Sequence, residues 1–227
     1  MSAPTHGHSR IGGLIHQELR NAKRLLDLLP PAVAIFGGSR IRPEDHYYGQ
    51  AVELARSVSQ VGIPVISGGG PGIMEAANKG ARQGVHGLSI GLKITLPFEE
   101  TPNPHQDICV EFHSFAARKV TFCKYSGAVV AMPGGLGTLD ELFEVLTLVQ
   151  TGKMPSIPVL LYGAEFWSGL VAWLRTTVLA RGLVSAADIA RRIQIVDSVE
   201  AAMAIIGVAC LAAPRGTGGR ATLVLPA

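Results

Sequence analysis

The chain has 227 residues, 48% hydrophobic and 16% charged, with a formal net charge of +3. That length and apolar content fit one domain with a full core and argue against reading two domains. A mild positive balance suits an anionic small molecule; a dedicated nucleic-acid binder would concentrate Lys and Arg on one face.

The first ten residues, MSAPTHGHSR, lack the apolar core of a signal peptide. From Ser9 to Leu29 the apolar spacing predicts an amphipathic helix, stopped by Pro30 and Pro31. It lies outside the alternating pattern that follows and is expected to pack on the main domain or on a neighbouring subunit. AVAIFGG (32–38) reads as a buried strand ending in glycine, followed by a helix from Pro43-Glu44 to Val61. PVISGGG (64–70) is a second such strand, and a helix over 71–83 follows it, with Pro71 in its first turn. LSIGLKI (88–94) is a third strand, residues 95–106 a Pro-rich loop, and ICVEF (108–112) a fourth strand with a helix reaching about Tyr125. GAVVAMP (127–133) is the fifth strand, followed by a helix from Thr138 to Thr151. IPVLLYG (157–163) is the sixth, again with a helix after it, and RIQIV (192–196) the last, before a helix capped by Asp197 or Ser198. The apolar run 201–213 is shorter than the roughly 20 residues a bilayer requires and reads as a core helix.

Apolar strands alternating with helices predict one α/β domain over 31–213, a Rossmann-like doubly wound parallel sheet with helices on both faces. Residues 1–30 form an N-terminal extension and 214–227 a loose tail. Cys109, Cys123 and Cys210 are widely spaced with no CxxC pair, so they read as three buried thiols in a cytoplasmic protein, with no zinc site or disulfide framework.

Three predicted strand ends carry glycine clusters, where ligands of such sheets bind. In PGGLGTLDE (133–141), glycines after a buried strand expose backbone N–H groups at a helix N-terminus, a phosphate site. Thr138 and Glu141 also fit a capping box, in which each side chain satisfies the other's backbone donor. SGGGPGIMEAANKGA (67–81) repeats the strand–glycine–helix pattern, but lacks the third glycine of a dinucleotide fingerprint and follows the second strand, which disfavours nicotinamide binding. Tight turns packing a helix on the sheet, with Glu75 complementing the helix dipole, are an alternative reading of it. In HSFAARKVTF (113–122), Arg118 and Lys119 stand among apolar neighbours, and a partly buried guanidinium seeks a carboxylate or phosphate. Arg118 is expected to point at the 133–138 loop. GxSxG, HExxH and Walker patterns do not occur.

Taken together, these segments resemble the Lonely Guy family. PGGLGTLDE looks like its PGGxGTxxE signature, Arg118-Lys119 like the Arg-Lys pair upstream of it, and GGGPGIMEA and GGSR (37–40) like its other two glycine loops. The likeness runs from about Val33 to Val199. LPFEETPNPH, TLVQTGK and EFWSGL are closer to the longer bacterial branch than to the plant one. The resemblance implies a phosphoribohydrolase that cleaves cytokinin riboside 5′-monophosphate or AMP to free base and ribose 5-phosphate, without cofactor or metal. By position it makes Arg118 and Glu141 the catalytic pair. Gly38, Ser39, Gly69, Gly70, Glu75, Glu100, Lys119, Gly134, Gly135, Gly137 and Thr138 are then substrate contacts. It further implies a homo-oligomer, with neither nucleic acid nor membrane as partner. Members often carry the label lysine decarboxylase, yet nothing in the sequence singles out a Schiff-base lysine. Proteins of the same fold that bind nucleotides or molybdenum cofactor without turnover share the glycine loops; the intact Arg118–Glu141 pair favours an enzyme.

Overall fold

The structure, a computed structural model, describes residues 6–97, 101–190 and 192–211. Seven parallel strands form one sheet in the order β4-β3-β2-β1-β5-β6-β7. In chain order the elements are α1 (His6–Leu26), β1 (Ala32–Phe36), α2 (His46–Gln60), β2 (Val65–Ser67), α3 (Ile73–Gly84), β3 (Ser89–Ile94) and β4 (Ile108–Phe112). They continue with α4 (Phe115–Tyr125), β5 (Ser126–Ala131), α5 (Leu136–Gln150), β6 (Val159–Tyr162), α6 (Ala164–Trp173) running into a π-helical segment (Leu174–Leu179), α7 (Ala186–Ala190), β7 (Ile193–Val196) and α8 (Val199–Leu211).

The sheet is doubly wound because its central strands are apolar on both faces. Ala34, Phe36, Val129, Ala131 and Leu161 bury against α1, α4, α5 and α6, through Leu26, Phe122, Leu142, Val145 and Trp167. The alternate residues Val33, Ile35, Ala128, Val130 and Leu160 bury against α2, α3 and α8, through Leu54, Ile73, Ala76 and Ile206. A strand with no polar face has to be covered twice, and this excludes a sandwich or an open antiparallel sheet. The chain winds outward from β1 to β4 and returns to β5 beside β1, so strand order reverses between β1 and β5. A crevice opens at the carboxyl ends of strands at such a point.

Several boundaries differ from the sequence reading. α1 ends at Leu26 rather than Leu29. α3 begins at Ile73, with Gly72 as cap, which leaves Pro71 before the helix instead of in its first turn. α5 begins at Leu136, two residues before Thr138. Helix α7 is additional; Ser185 Oγ accepts from the Asp188 amide (3.2 Å) and Asp188 Oδ2 from the Ser185 amide (3.0 Å), a reciprocal cap. Of the two capping candidates before α8, Ser198 caps it, through the amide of Ala201 (3.1 Å), while Asp197 caps α6 through the amide of Ala164 (2.6 Å). The cysteines are free but not buried: Cys109 is exposed on the edge strand β4, and Cys123 and Cys210 are half-buried. Among the described residues no helix is long and apolar enough to cross a membrane. The 214–227 tail lies outside them.

Candidate active site

The glycine loops meet at the switch point backbone to backbone. The amide of Gly38, after β1, donates to the carbonyl of Pro133, after β5 (2.9 Å). The amide of Ile73, heading α3, donates to the carbonyl of Gly38 (3.1 Å). Gly72 holds φ at +68°, and a Cβ there would lie 2.7 Å from the Ser39 carbonyl carbon, so no other residue fits that turn. A Cβ on Gly134 would meet the Gly38 nitrogen at 2.9 Å. Side chains at these positions would force the loops apart.

The head of α5 opens into the crevice they form. Its cap is Gly135, which has no side chain to satisfy the first amides. The amides of Thr138 and Leu139 turn back to the Gly135 carbonyl (3.0 and 3.1 Å), leaving those of Leu136 and Gly137 without an acceptor among the described residues. Free amides at the positive end of a helix hold an anion. The capping box of Thr138 and Glu141 does not form, because the helix starts earlier: Thr138 stands within its first turn and Glu141 in its second.

Glu141 is 6% exposed. Its Oε1 lies 3.6 Å from Arg118 Nη1, and its Oε2 is buried with no hydrogen-bond partner among the described residues. Burial pushes the carboxyl up to about 7; the Arg118 guanidinium pulls it the other way, and the carboxylate of Glu144 adds to the rise. Arg118 comes from α4, where Nε donates to the Leu92 carbonyl (2.8 Å) and the guanidinium lies 5.1 Å from the Phe122 ring centre. Burial lowers the pKa of Arg118, and Glu141 opposes that shift. In both groups desolvation outweighs pairing. At 3.6 Å the two form an ion pair just beyond hydrogen-bond distance.

Arg118 and Glu141 line a cleft of about 570 Å³ together with Gly38, Ser39, Gly135, Gly137 and Thr138. Met74, Phe115 and Leu136 add an apolar side. Gly70 lines an adjoining recess with Ser39, Lys93 and Arg118. The other positions of the sequence reading stand back from the cleft wall. Gly134 packs beneath it, and Gly69 is held by the loop network described next. Glu75 faces His105 at 4.0 Å. Lys119 pairs with Asp140 (2.9 Å) and Glu144 (3.4 Å) on the flank of α5. Glu100 lies outside the described residues.

A buried network that sequence reasoning missed supports the 68–70 loop. Asn78, on α3, is fully buried. Its Oδ1 accepts from Ser67 Oγ (2.6 Å) and Asn103 Nδ2 (2.9 Å), and its Nδ2 donates to Ser89 Oγ (2.9 Å). Asn103 Nδ2 also donates to the Gly70 carbonyl (3.0 Å), and Gln106 Nε2 to that of Gly69 (3.0 Å). The available signal was an asparagine, a poor helix former, inside the apolar face of a helix. Asn78→Ala removes the acceptor of the Ser67 hydroxyl and one bond each from Ser89 and Asn103 in a buried network, so unfolding free energy should fall by about 2 kcal/mol. A urea titration showing a loss under about 1 kcal/mol would remove the network's structural weight.

Among the described residues no group of three or more His, Cys, Asp or Glu is placed to hold a metal ion. The model of the family described as possible lysine decarboxylase matches residues 74–206, more than half of the chain. The chain is 31% identical over 122 residues to a cytokinin riboside 5′-monophosphate phosphoribohydrolase of Oryza sativa subsp. japonica; the match covers 53% of this chain and 50% of that protein. It is 29% identical over 166 residues to a pyrimidine/purine nucleotide 5′-monophosphate nucleosidase of Escherichia coli K12, covering 68% of this chain and 36% of that one. The chain therefore spans about half of the rice relative's length and about a third of the bacterial one's. Among solved structures it is similar to the molybdenum cofactor binding protein of Rippkaea orientalis, with TM-score 0.58 and 25% identity over 78% of this chain and 95% of that one.

Proposed function

The chain belongs to the Lonely Guy family, and from that premise we propose that it hydrolyses the N-glycosidic bond of a nucleoside 5′-monophosphate, giving free base and ribose 5-phosphate. The observation that carries this reading is Glu141: a buried carboxylate with one unpartnered oxygen, facing Arg118 in a cleft headed by the open amides of α5. Breaking the C1′–N bond sends its electron pair to the base nitrogen, which takes up a proton, while positive charge builds on C1′ and the ring oxygen. Water then adds to C1′ and releases a proton. A carboxylate beside C1′ stabilises the charge or takes the water's proton. A base works best with a pKa near the operating pH, and Glu141 at about 7 meets that condition. Arg118 faces the carboxylate and favours its ionised form, since an opposite charge nearby stabilises the charged state. Nucleotide relatives of both plant and bacterial origin support the substrate class.

Turnover tests the reading. AMP, GMP, CMP, UMP and isopentenyladenosine monophosphate should be assayed for released base and ribose 5-phosphate. Adenosine plus inorganic phosphate as products would make the protein a phosphatase. The second reading, non-catalytic binding of a nucleotide or of molybdenum cofactor, is favoured by the likeness to the Rippkaea protein, and binding of AMP without turnover would select it. The lysine decarboxylase description calls for a Schiff-base lysine; among the described residues the cleft wall has none, and Lys93 lines the adjoining recess.

Two outcomes follow from the geometry. The phosphate sits on the amides of Leu136 and Gly137 and the hydroxyl of Thr138 in this reading. Charge-assisted hydrogen bonds contribute about 1.5–3 kcal/mol each, so adenosine should react roughly 100-fold less efficiently than AMP. Equal kcat/KM for the two removes the phosphate site. The second outcome is a homo-oligomer. α4 and α5 expose Phe115 (54%) and Leu136 (85%) on the cleft wall, and α4 exposes Val120 (51%) on its side toward α1, apolar surface available to a second copy of the chain. Light scattering at micromolar concentration should give a multiple of the chain mass, and a monomer contradicts it.

A further inference from the structure

Helix α1 lies outside the alternating strand–helix order, yet it and the residue after it are tied to both ends of α4, the helix that carries Arg118. At one end Glu18, only 7% exposed, accepts from the backbone amides of His113 (2.6 Å) and Ser114 (3.2 Å), with His113 Nδ1 3.3 Å away. Ser114 is the cap of α4, so the carboxylate sits on the positive end of that helix. At the other end Asp27 accepts from Lys124 Nζ (2.7 Å) and Tyr125 OH (2.7 Å), at the last turn of α4. Between the ties Ala22 and Leu26 are buried, and Ile15 and Leu19 pack beside them. The two helices run in the same direction. Residues 18 to 27 rise about 14 Å, and 114 to 124 about 15 Å, so the ties are matched in spacing.

α4 has weak anchorage of its own: its buried residues are Ala117, Thr121 and Phe122. Apolar packing alone would hold α1 on α4 while leaving the pair free to slide. Directional hydrogen bonds to the first amides and to the last turn fix the register. A buried carboxylate contributes little net stability, but the two directional bonds it accepts here define one register of the helices.

We propose that α1 is a splint that sets the position of α4, with Glu18 as its principal positioning residue, so that Arg118 stands correctly against Glu141. The proposal rests on the phosphoribohydrolase reading for its kinetic arm alone. The hydrogen-bonded ties of α1 run to α4 and the turn before it, whereas the phosphate is read onto the head of α5, so the two are held by different contacts. Loosening the splint therefore acts on the chemical step and spares binding. Displacing a catalytic group by about an ångström lowers turnover by up to about 100-fold.

The test uses the full chain with Glu18→Ala, which removes both acceptors, and Glu18→Gln, which keeps one. Assayed well below their melting temperatures with AMP, Glu18→Ala should lose about 10- to 100-fold in kcat, Glu18→Gln should fall between it and the parent, and KM should stay within about threefold. Hydrogen exchange should quicken across 115–125 and stay unchanged in α3 and α5. A kcat for Glu18→Ala within twofold of the parent overturns the proposal. So does unchanged exchange in α4, whatever the turnover. A parent protein that releases no base from any nucleotide sinks the functional reading by itself, and the exchange measurement still decides the splint.

Discussion

Glu141→Gln should lower kcat on the best nucleotide by about 10²–10⁴ while leaving the protein folded. Glutamine has nearly the same shape and sits in the same buried position, so the packing of α5 on the sheet through Leu142 and Val145 is retained. What disappears is the negative charge beside C1′ and the capacity to take a proton. A helix cap offers no competing explanation, because Gly135 caps α5 and Glu141 lies in its second turn. The pH dependence adds a second signature. Burial holds the carboxyl at about 7 against an ordinary value of 4.5. The ionised form does the chemistry, so kcat for the parent should rise with pH through about 7 and then level off. Stability moves the other way. The native state keeps a proton that the unfolded chain loses at 4.5, so this group's contribution is full below about 4.5 and is lost as pH rises to 7. The loss amounts to at most about 3 kcal/mol. In Glu141→Gln both trends should vanish: residual turnover flat across pH 6–8, and stability free of that decline. Near-parental turnover for this variant would end the catalytic assignment and promote non-catalytic binding.

The sheet was legible because its evidence is local. Runs such as AVAIF and AVVAM, each followed by glycines, show fully buried strands and where they end. The strand order was not legible. Nothing near Phe36 shows that its neighbour is Ala131, ninety-odd residues on, and so the meeting of Gly38 with Pro133 depends on a long-range crossover. The start of α5 was misplaced for a reason of propensity. Thr138 is a good cap and the Gly-Leu-Gly before it a poor helix start, yet the turn over Gly135 lets the helix begin at Leu136 and frees the amides at its head. Neighbouring residues also share a motif without sharing a direction. Arg118 and Lys119 lie about 100° apart around α4, so one reaches the cleft and the other the flank of α5. Asn78, Asn103 and Glu18 were missed because a buried polar residue is recognised by its partners, and those lie 11 to 96 residues away.

Arg118→Ala should reduce kcat/KM by about 10²–10³, with kcat taking the larger share. The guanidinium is buried, holds the Leu92 carbonyl at 2.8 Å and faces Glu141 at 3.6 Å. Its removal abolishes the larger of the two influences from α4 that favour the ionised form of Glu141, leaving only Lys119 against burial and Glu144, which push the carboxyl up. The acid limb of the kcat profile should therefore move above 7, and raising the pH should restore part of the activity. That partial recovery separates Arg118 from a residue that merely binds substrate, whose loss no proton concentration repairs. Removing one partner of a buried pair also leaves the other charge uncompensated, a loss of about 3–5 kcal/mol if Glu141 stays ionised. Protonation offers the variant an escape, so its stability deficit should shrink below about pH 6 and widen above pH 8. Arg118→Lys keeps a positive charge but not the fork that reaches Leu92 and Glu141 together, so it should recover the position of the acid limb and little of the rate. An Arg118→Ala protein whose pH profile overlays that of the parent would show that the two groups are not coupled, and the proposed division of labour between α4 and α5 would have to be abandoned.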